Sequence, residues 1–242
     1  MFAATIALAA AAIGPKFVCE ECEGMAAEFS SAVHNMKPLV RRALMDGDTS
    51  VDPEAMMHEL QLSEHAVKVG LRSLQTGVVS SVKAVLTPAQ CTALQFLAPN
   101  ESSSHPDNVD GATSYQRNFT KAELQAVLGD EVVNELWSLP LRYAGGQQAP
   151  LGNVRAIVRS YSKRGRPFIP FHVDRSRFTV NVALEDSSLT RSSGGQLMAM
   201  YQGRLRAIAR AQGEATIHGP DVLHAVAFAP GGTRSALVLF FE

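Results

Sequence analysis

The sequence predicts a mainly β domain with flanking helices, an α+β chain whose core is an antiparallel sandwich or barrel of jelly-roll type. Two changes of pattern carry that prediction. Up to about residue 140 the apolar residues recur at helical spacing, whereas after Gly145-Gly146 they fall in short, alternating or wholly apolar runs. Those runs are separated by Gly, Pro, Ser or Asp, the punctuation of short antiparallel strands. A chain of 242 residues can bury one sizeable core, or one domain with a small appendage.

The elements follow in order. From Glu23 to about Val85 the spacing of Met25, Phe29, Val33, Met36 and Leu39, then of Met56, Met57, Leu60, Ala66, Val67 and Leu71, predicts helices broken at Asp46-Gly-Asp48. His58 and His65 read as helix residues rather than ligands, because no carboxylate or cysteine cluster joins them. A new unit begins near Val85, where Thr87-Pro-Ala-Gln90 combines a cap, a first-turn proline and a reciprocal partner; it predicts a helix from Pro88 to about Leu97. Asn100 to Gly111 is polar and reads as an exposed loop. Thr120-Lys-Ala-Glu123 is a second capping box and opens a helix to about Trp137, with an interruption at Gly129. Trp137 reads as a packing residue. Strands are predicted over Val154–Tyr161, Phe178–Leu184, Gln196–Tyr201, Ala215–His218, Ala225–Phe228 and Ser235–Phe241.

Three units result: residues 1–22 as a signal peptide or N-terminal arm, 23–84 as a helical segment, and 85–242 as the main domain. Residues 1–13 are almost wholly apolar, too short to span a bilayer, and end in Ala9–Ala12. They suit a secretory signal with a small-residue cleavage site, although the first basic residue is Lys16. Asn100-Glu-Ser102 and Asn118-Phe-Thr120 fit the glycosylation pattern. Together these features favour the endoplasmic reticulum or secretory route over the cytoplasm. Cys19-Glu-Glu-Cys22 lacks a second pair for a zinc site and reads as a redox pair, a short disulfide or two thiols.

The charge is balanced, with 22 Lys+Arg against 23 Asp+Glu and a net charge of −1, which argues against a long phosphate footprint and hence against nucleic acid as a partner. Locally, Arg155, Arg159, Lys163, Arg164, Arg166, Arg175, Arg177, Arg191, Arg204, Arg206 and Arg210 outnumber Asp174, Glu185 and Asp186. Most of these cations read as a solvated surface; the sharper alternative is a seat for an anionic co-substrate.

The candidate chemistry lies in His172-Val-Asp174, His224 and Arg234. Two imidazoles and one carboxylate are the set that holds ferrous iron on one face and leaves the other positions open. In a strand, residues i and i+2 point the same way, so His172 and Asp174 could share a face. The triplet alone is weak: with seven His and nine Asp, about 0.26 His-x-Asp triplets arise by chance. Its context strengthens it. His172 and Asp174 precede one predicted strand, His224 precedes another, and a jelly roll brings such strand ends together at its mouth. Arg234 starts the final strand ten residues after His224, where its planar fork can take a carboxylate in two hydrogen bonds. His218 is the alternative distal ligand, sixteen residues before Arg234 and just ahead of the turn Gly219-Pro220; His224 is preferred. Thr179 and Asn181 are open to a structural or a site role.

These motifs resemble the iron(II)- and 2-oxoglutarate-dependent oxygenases, especially their prolyl 4-hydroxylase and procollagen lysyl hydroxylase branch. The matching text is Val158-Arg-Ser-Tyr161, Phe171-His-Val-Asp174, Phe178–Leu184, Gly194-Gly-Gln-Leu197, Gly213–His218, Val222-Leu-His224 and Gly232-Thr-Arg234 through Phe241. It covers about residues 153 to 242. The resemblance implies a double-stranded β-helix with His172, Asp174 and His224 on Fe(II), Arg234 on the far carboxylate of 2-oxoglutarate, and Tyr161 hydrogen-bonded to that co-substrate. It also implies dioxygen as the second co-substrate, ascorbate as a reductant, and hydroxylation of a prolyl, or as second choice a lysyl, residue of a protein or peptide. The presence of Asp174, where a small residue would open a further coordination site, favours hydroxylation. The same chemistry on a small molecule or nucleobase, or a cupin-like isomerase or binding module, is the alternative.

Overall fold

The computed structural model describes residues 32–60, 62–98, 104–143, 152–162, 166–186, 194–231 and 233–242. The apolar N-terminus, Cys19, Cys22 and Asn100 lie outside them, while Asn118 is exposed on a strand. Helices α1 (Pro38–Asp46), α2 (Pro53–Glu59) and α3 (Glu64–Thr76) come first, followed by strand β1 (Val79–Val82). Helix α4 (Pro88–Phe96), hairpin strands β2 (Ser104–Pro106) and β3 (Thr113–Phe119), and helices α5 (Lys121–Leu128) and α6 (Asp130–Tyr143) lead into the β-rich half. That half holds β4 (Val154–Ser162), β5 (Ile169–His172), β6 (Phe178–Ala183), β7 (Leu197–Tyr201), β8 (Arg204–Ile208), β9 (Ala215–His218), β10 (His224–Val226) and β11 (Thr233–Phe241).

Among the described residues two antiparallel sheets form, one of seven strands in the order β1-β9-β6-β11-β4-β3-β2 and one of four in the order β5-β10-β7-β8. The strand alternation sorts three cores. Tyr161, Ile169, Leu197, Val226, Ala236 and Val238 pack between the sheets. Leu237, Leu239 and Phe241, on the opposite face of β11, pack with Leu94, Leu124 and Leu136 of α4, α5 and α6. Met198, Met200 and Ala225 on the outer face of the smaller sheet pack with Leu44, Met57 and Leu74 of α1, α2 and α3. Among the described residues no helix is long and apolar enough to cross a membrane.

Both capping boxes are formed, with reciprocal hydrogen bonds at Thr87/Gln90 and Thr120/Glu123. Gly129, at φ +89°, divides α5 from α6, and α6 runs on past Trp137 to Tyr143 because Leu136, Leu139 and Pro140 extend its buried face. Trp137 meets Phe241 edge to face. His58 and His65 are exposed on their helices.

The sequence prediction omits β1, β2, β3, β5 and β8; all but the polar, seven-residue β3 are short edge strands. Val79–Val82 is not helical: it adds to the edge of the large sheet beside β9. The polar stretch Asn100 to Gly111 is not all loop, since Ser104–Pro106 pairs with β3. Strand β8 carries Arg204 and Arg206 on an edge and is joined to β7 by Gln202-Gly203, both at positive φ (51° and 73°). That is the two-residue hairpin loop whose twist matches its strands, written with Gln in place of the usual Asn.

Helix α3 is stapled to the small sheet by Ser73. Its fully buried hydroxyl donates to the Met200 carbonyl (2.8 Å) and accepts from the Leu223 amide (3.2 Å). Ser73→Ala leaves the buried Leu223 N–H without that acceptor, and we expect a loss of about 1–3 kcal/mol in urea unfolding. An unchanged midpoint would mean that the staple carries no net stability.

Candidate metal centre

The site is assembled by a bulge. Strand β10 pairs with β5 through His224↔His172 and Val226↔Ile169, so β5 advances three residues while β10 advances two. The extra residue re-aims the strand: Ile169 packs between the sheets, Phe171 in the outer core, and His172 faces His224 with ring centroids 4.3 Å apart. The expected strand alternation of His172 and Asp174 is therefore corrected. Strand β5 ends at His172, and Asp174 lies in the connection to β6, where the Thr179 hydroxyl donates to its Oδ2 (2.5 Å). Ser176 in turn bonds Thr179 (2.9 Å).

His172, Asp174 and His224 each offer an atom within 4.8 Å of the other two. Asp174 Oδ1 is 3.6 Å from His172 Nε2, and Oδ2 is 3.5 Å from His224 Nε2. Each ring is oriented by its other nitrogen: His172 Nδ1 donates to the Pro170 carbonyl (2.8 Å) and His224 Nδ1 to the Val222 carbonyl (3.0 Å). A carbonyl can only accept, so Nδ1 holds the proton and Nε2 keeps its lone pair. A hydrogen-bonded carboxylate and two such imidazoles fit a ferrous ion, outer support included.

His218, the alternative ligand, is also brought in. It ends β9 in the other sheet, is buried, and sets its Nε2 3.8 Å from Asp174 Oδ2 and its ring 4.4 Å from that of His224.

Burial governs the protonation of this cluster. It pushes His224 and His218 down to about 4, helped by the neighbouring imidazoles, and lowers His172 against the pull of Asp174. Burial alone would raise Asp174, but His224, His218, His172 and the Thr179 hydrogen bond together hold it at about 2. In the unfolded chain the imidazoles titrate near 6.5, so below that pH the unfolded state binds more protons. The metal-free protein is thus expected to keep its full stability above pH 6.5 and to lose it steadily as the pH falls towards 4. Urea midpoints measured between pH 7.5 and pH 4.5 check this; a flat profile would contradict it.

Arg234, the second residue of β11, pairs in register with Tyr161 of β4, and both are buried. The Arg234 side chain crosses Gly195, where a Cβ would stand 2.5 Å from its Cδ, and Gly195 itself sits at φ +66°. Burial lowers the Arg234 guanidinium, opposed by Glu185 and Asp186. Burial likewise raises the Tyr161 phenol. Glu185 was not singled out in the sequence; its carboxylate accepts from the Ser235 amide (2.7 Å) and from Gln95 (2.8 Å).

Three of the arginines read as solvated surface are not. Arg159 is 3.1 Å from the buried Asp107, Arg166 forks onto both oxygens of Asp110, and Arg210 lies buried with Nη1 on the Asn181 side chain (2.6 Å) and carbonyl (3.0 Å). Burial, with Arg234 nearby, pushes Arg210 down to about 10. Their cationic heads sit inward because strand alternation places Arg159 and Asn181 on inner faces, which a charge count along the chain does not register.

A cleft of about 1300 Å³ opens over the cluster, lined by His172, Asp174 and Arg175 on the barrel side and by Val40, Leu44 and Leu60 on the helical side. Neither Arg234 nor Tyr161 lines it.

No protein-family profile and no curated protein matches the sequence. Solved structures do match the fold. A Pseudomonas putida prolyl-4-hydroxylase superposes with a TM-score of 0.54 at 19% identity, over 69% of this chain and 94% of that one. The non-heme α-ketoglutarate-dependent carbocyclase SnoK of nogalamycin biosynthesis gives 0.50 at 14% identity, over 75% and 84%. EvdO2 of Micromonospora carbonacea var. aurantiaca gives 0.50 at 12%, over 75% and 91%. The chain therefore has the double-stranded β-helix fold that it shares with a prolyl-4-hydroxylase and an α-ketoglutarate-dependent carbocyclase.

Proposed function

We propose that the protein is an Fe(II)- and 2-oxoglutarate-dependent dioxygenase that hydroxylates a prolyl residue of a protein or peptide. The observation that carries this reading is the convergence of His172, Asp174 and His224 at the foot of a wide cleft. The residues divide the work. His172 and His224 present Nε2 lone pairs and stay neutral at neutral pH through burial, while Asp174, held by Thr179, presents its carboxylate. Fe(II) bound there supplies, with 2-oxoglutarate and dioxygen, oxidative decarboxylation to succinate and carbon dioxide coupled to hydroxylation of a substrate C–H bond. Arg234 takes the far carboxylate of 2-oxoglutarate, and the Tyr161 hydroxyl donates to the same molecule. The apolar helical wall and the basic rim of the cleft suit an extended polypeptide laid across the metal.

The P. putida prolyl-4-hydroxylase of like fold supports proline as the acceptor; lysine is the second choice. A small-molecule substrate is the second reading, favoured by the carbocyclase of like fold. The test is a mass-spectrometric search for products heavier by one oxygen among proline- and lysine-containing peptides, supplied with Fe(II), 2-oxoglutarate and ascorbate. Oxygen on proline is the expected result. Succinate release without any peptide product would move the substrate to a small molecule.

A further inference from the structure

We propose that Arg210 is a second guanidinium of the co-substrate seat, gripping the far carboxylate of 2-oxoglutarate together with Arg234. This rests on the iron and 2-oxoglutarate reading given above. The interior between the sheets is built as a column. On β6, Phe178, Val180 and Val182 pack with the helices, so Thr179, Asn181 and Ala183 turn the other way. Ala215 and Ile217 of β9 also pack outward, which turns Thr216 inward, opposite Asn181 in the register. Strand β11 presents Arg234, Ala236 and Val238 on one face, with Ala236 beside Ala183 and Val238 beside Asn181. At the metal end Thr179 holds Asp174. Two residues further in, about 7 Å along the strand, Asn181 holds Arg210 Nη1 through its side-chain oxygen (2.6 Å) and its carbonyl (3.0 Å). The inward side chains that follow, Ala183 and Ala236, are small, and the register pair Arg234 and Tyr161 comes after them. The Arg210 head is thus fixed between the metal end and Arg234, at a depth comparable to the length of a five-carbon diacid.

The electrostatics favour an anion at that depth. Burial weakens Arg210's hold on its proton, Tyr161 opposes the change, and Arg234 adds to it. Burial raises the Tyr161 phenol in turn, against the pull of Arg159 and Arg210. Arg210, Arg234 and Tyr161 therefore share one buried neighbourhood, where the two guanidiniums repel each other. A carboxylate received between them turns that repulsion into two attractions. The acidic groups that also bear on Arg210 are held by the backbone: Glu214 accepts from the Ala211 amide (3.1 Å) and Glu185 from the Ser235 amide (2.7 Å). Asn181 offers only neutral oxygens, which fix the guanidinium plane and leave its charge in place.

Anaerobic titration of the Fe(II)-loaded protein with keto acids tests this, read by the charge-transfer absorption of a chelated 2-keto acid rather than by turnover. 2-Oxobutyrate is the control, because it chelates through the same keto acid and ends in a methyl group where 2-oxoglutarate carries its far carboxylate. Arg210→Gln is expected to weaken 2-oxoglutarate by about 10–150-fold, as for a lost charged hydrogen bond, and to leave 2-oxobutyrate unchanged. Arg210→Lys keeps a cation there and should recover part of the loss. Equal losses for both keto acids would make Arg210 a brace acting through Asn181 and overturn the proposal, as would no loss for either. Wild-type protein with isotope-labelled arginine needs no variant to fold: two buried guanidinium NMR signals are expected to move with 2-oxoglutarate and to stay with 2-oxobutyrate. A single moving signal would leave Arg234 as the sole anchor. No charge-transfer band with either keto acid in the wild type would remove the iron and 2-oxoglutarate reading, and this one with it.

Discussion

His172→Ala is expected to abolish iron-dependent succinate formation while the protein stays folded. The substitution removes one of the donors that converge within 4.8 Å. Outer-shell changes alone cost about 10–100-fold in affinity, so the loss of a direct ligand should exceed about 100-fold. The fold has little reason to respond. His172 is the last residue of an edge strand, and its backbone pairing with His224 does not involve the imidazole. Removing a buried imidazole from a cluster of three also relieves crowding of polar groups. Thermal unfolding of the metal-free variant is therefore expected within about 1 kcal/mol of the wild type. Succinate quantified by NMR, bound iron by elemental analysis and far-ultraviolet dichroism together separate the outcomes. Unchanged turnover would sink the assignment of His172.

Arg234→Ala is expected to raise the apparent 2-oxoglutarate requirement by about two to three and a half orders of magnitude, the equivalent of the roughly 3–5 kcal/mol for breaking a buried ion pair. Arg234→Lys restores the charge without the planar fork and should recover only part of the affinity. Gly195→Ala leaves the charge in place but drives a Cβ into the arginine's Cδ, from which it would stand 2.5 Å. It should weaken the co-substrate in the same sense and by less. Titrating 2-oxoglutarate into each variant checks the order. If none of the three shifts the requirement, the anchor lies elsewhere, and Arg210, buried on Asn181, is the next guanidinium to substitute.

Much of this architecture was written locally. The two capping boxes need only Thr, Gln or Glu and three residues of spacing, so α4 and α5 begin where the sequence says. The core strands β4, β6, β9 and β11 are apolar on both faces or alternate cleanly, because helices cover one face and the second sheet the other. Strands β2, β5 and β8 escaped notice for the opposite reason. They are short strands at sheet edges, of three to five residues, too few to display a period.

The sequence by itself determined the donor types, their order along the chain and the strand ends that carry them, because residue identity and hydrophobic period are local properties. It could also place His218 and His224 on one short connection, but it made them rivals. Only the tertiary structure decided where each of them points. A bulge turns His172 inward, Thr179 reaches across a loop to Asp174, and two sheets bring His218 and His224 to within 3.8 and 3.5 Å of the same Asp174 oxygen, Oδ2. Whether a side chain faces inward across a sandwich depends on strand register and on which residue a bulge skips. Both are fixed by pairing between segments far apart in the chain, which no local spacing encodes.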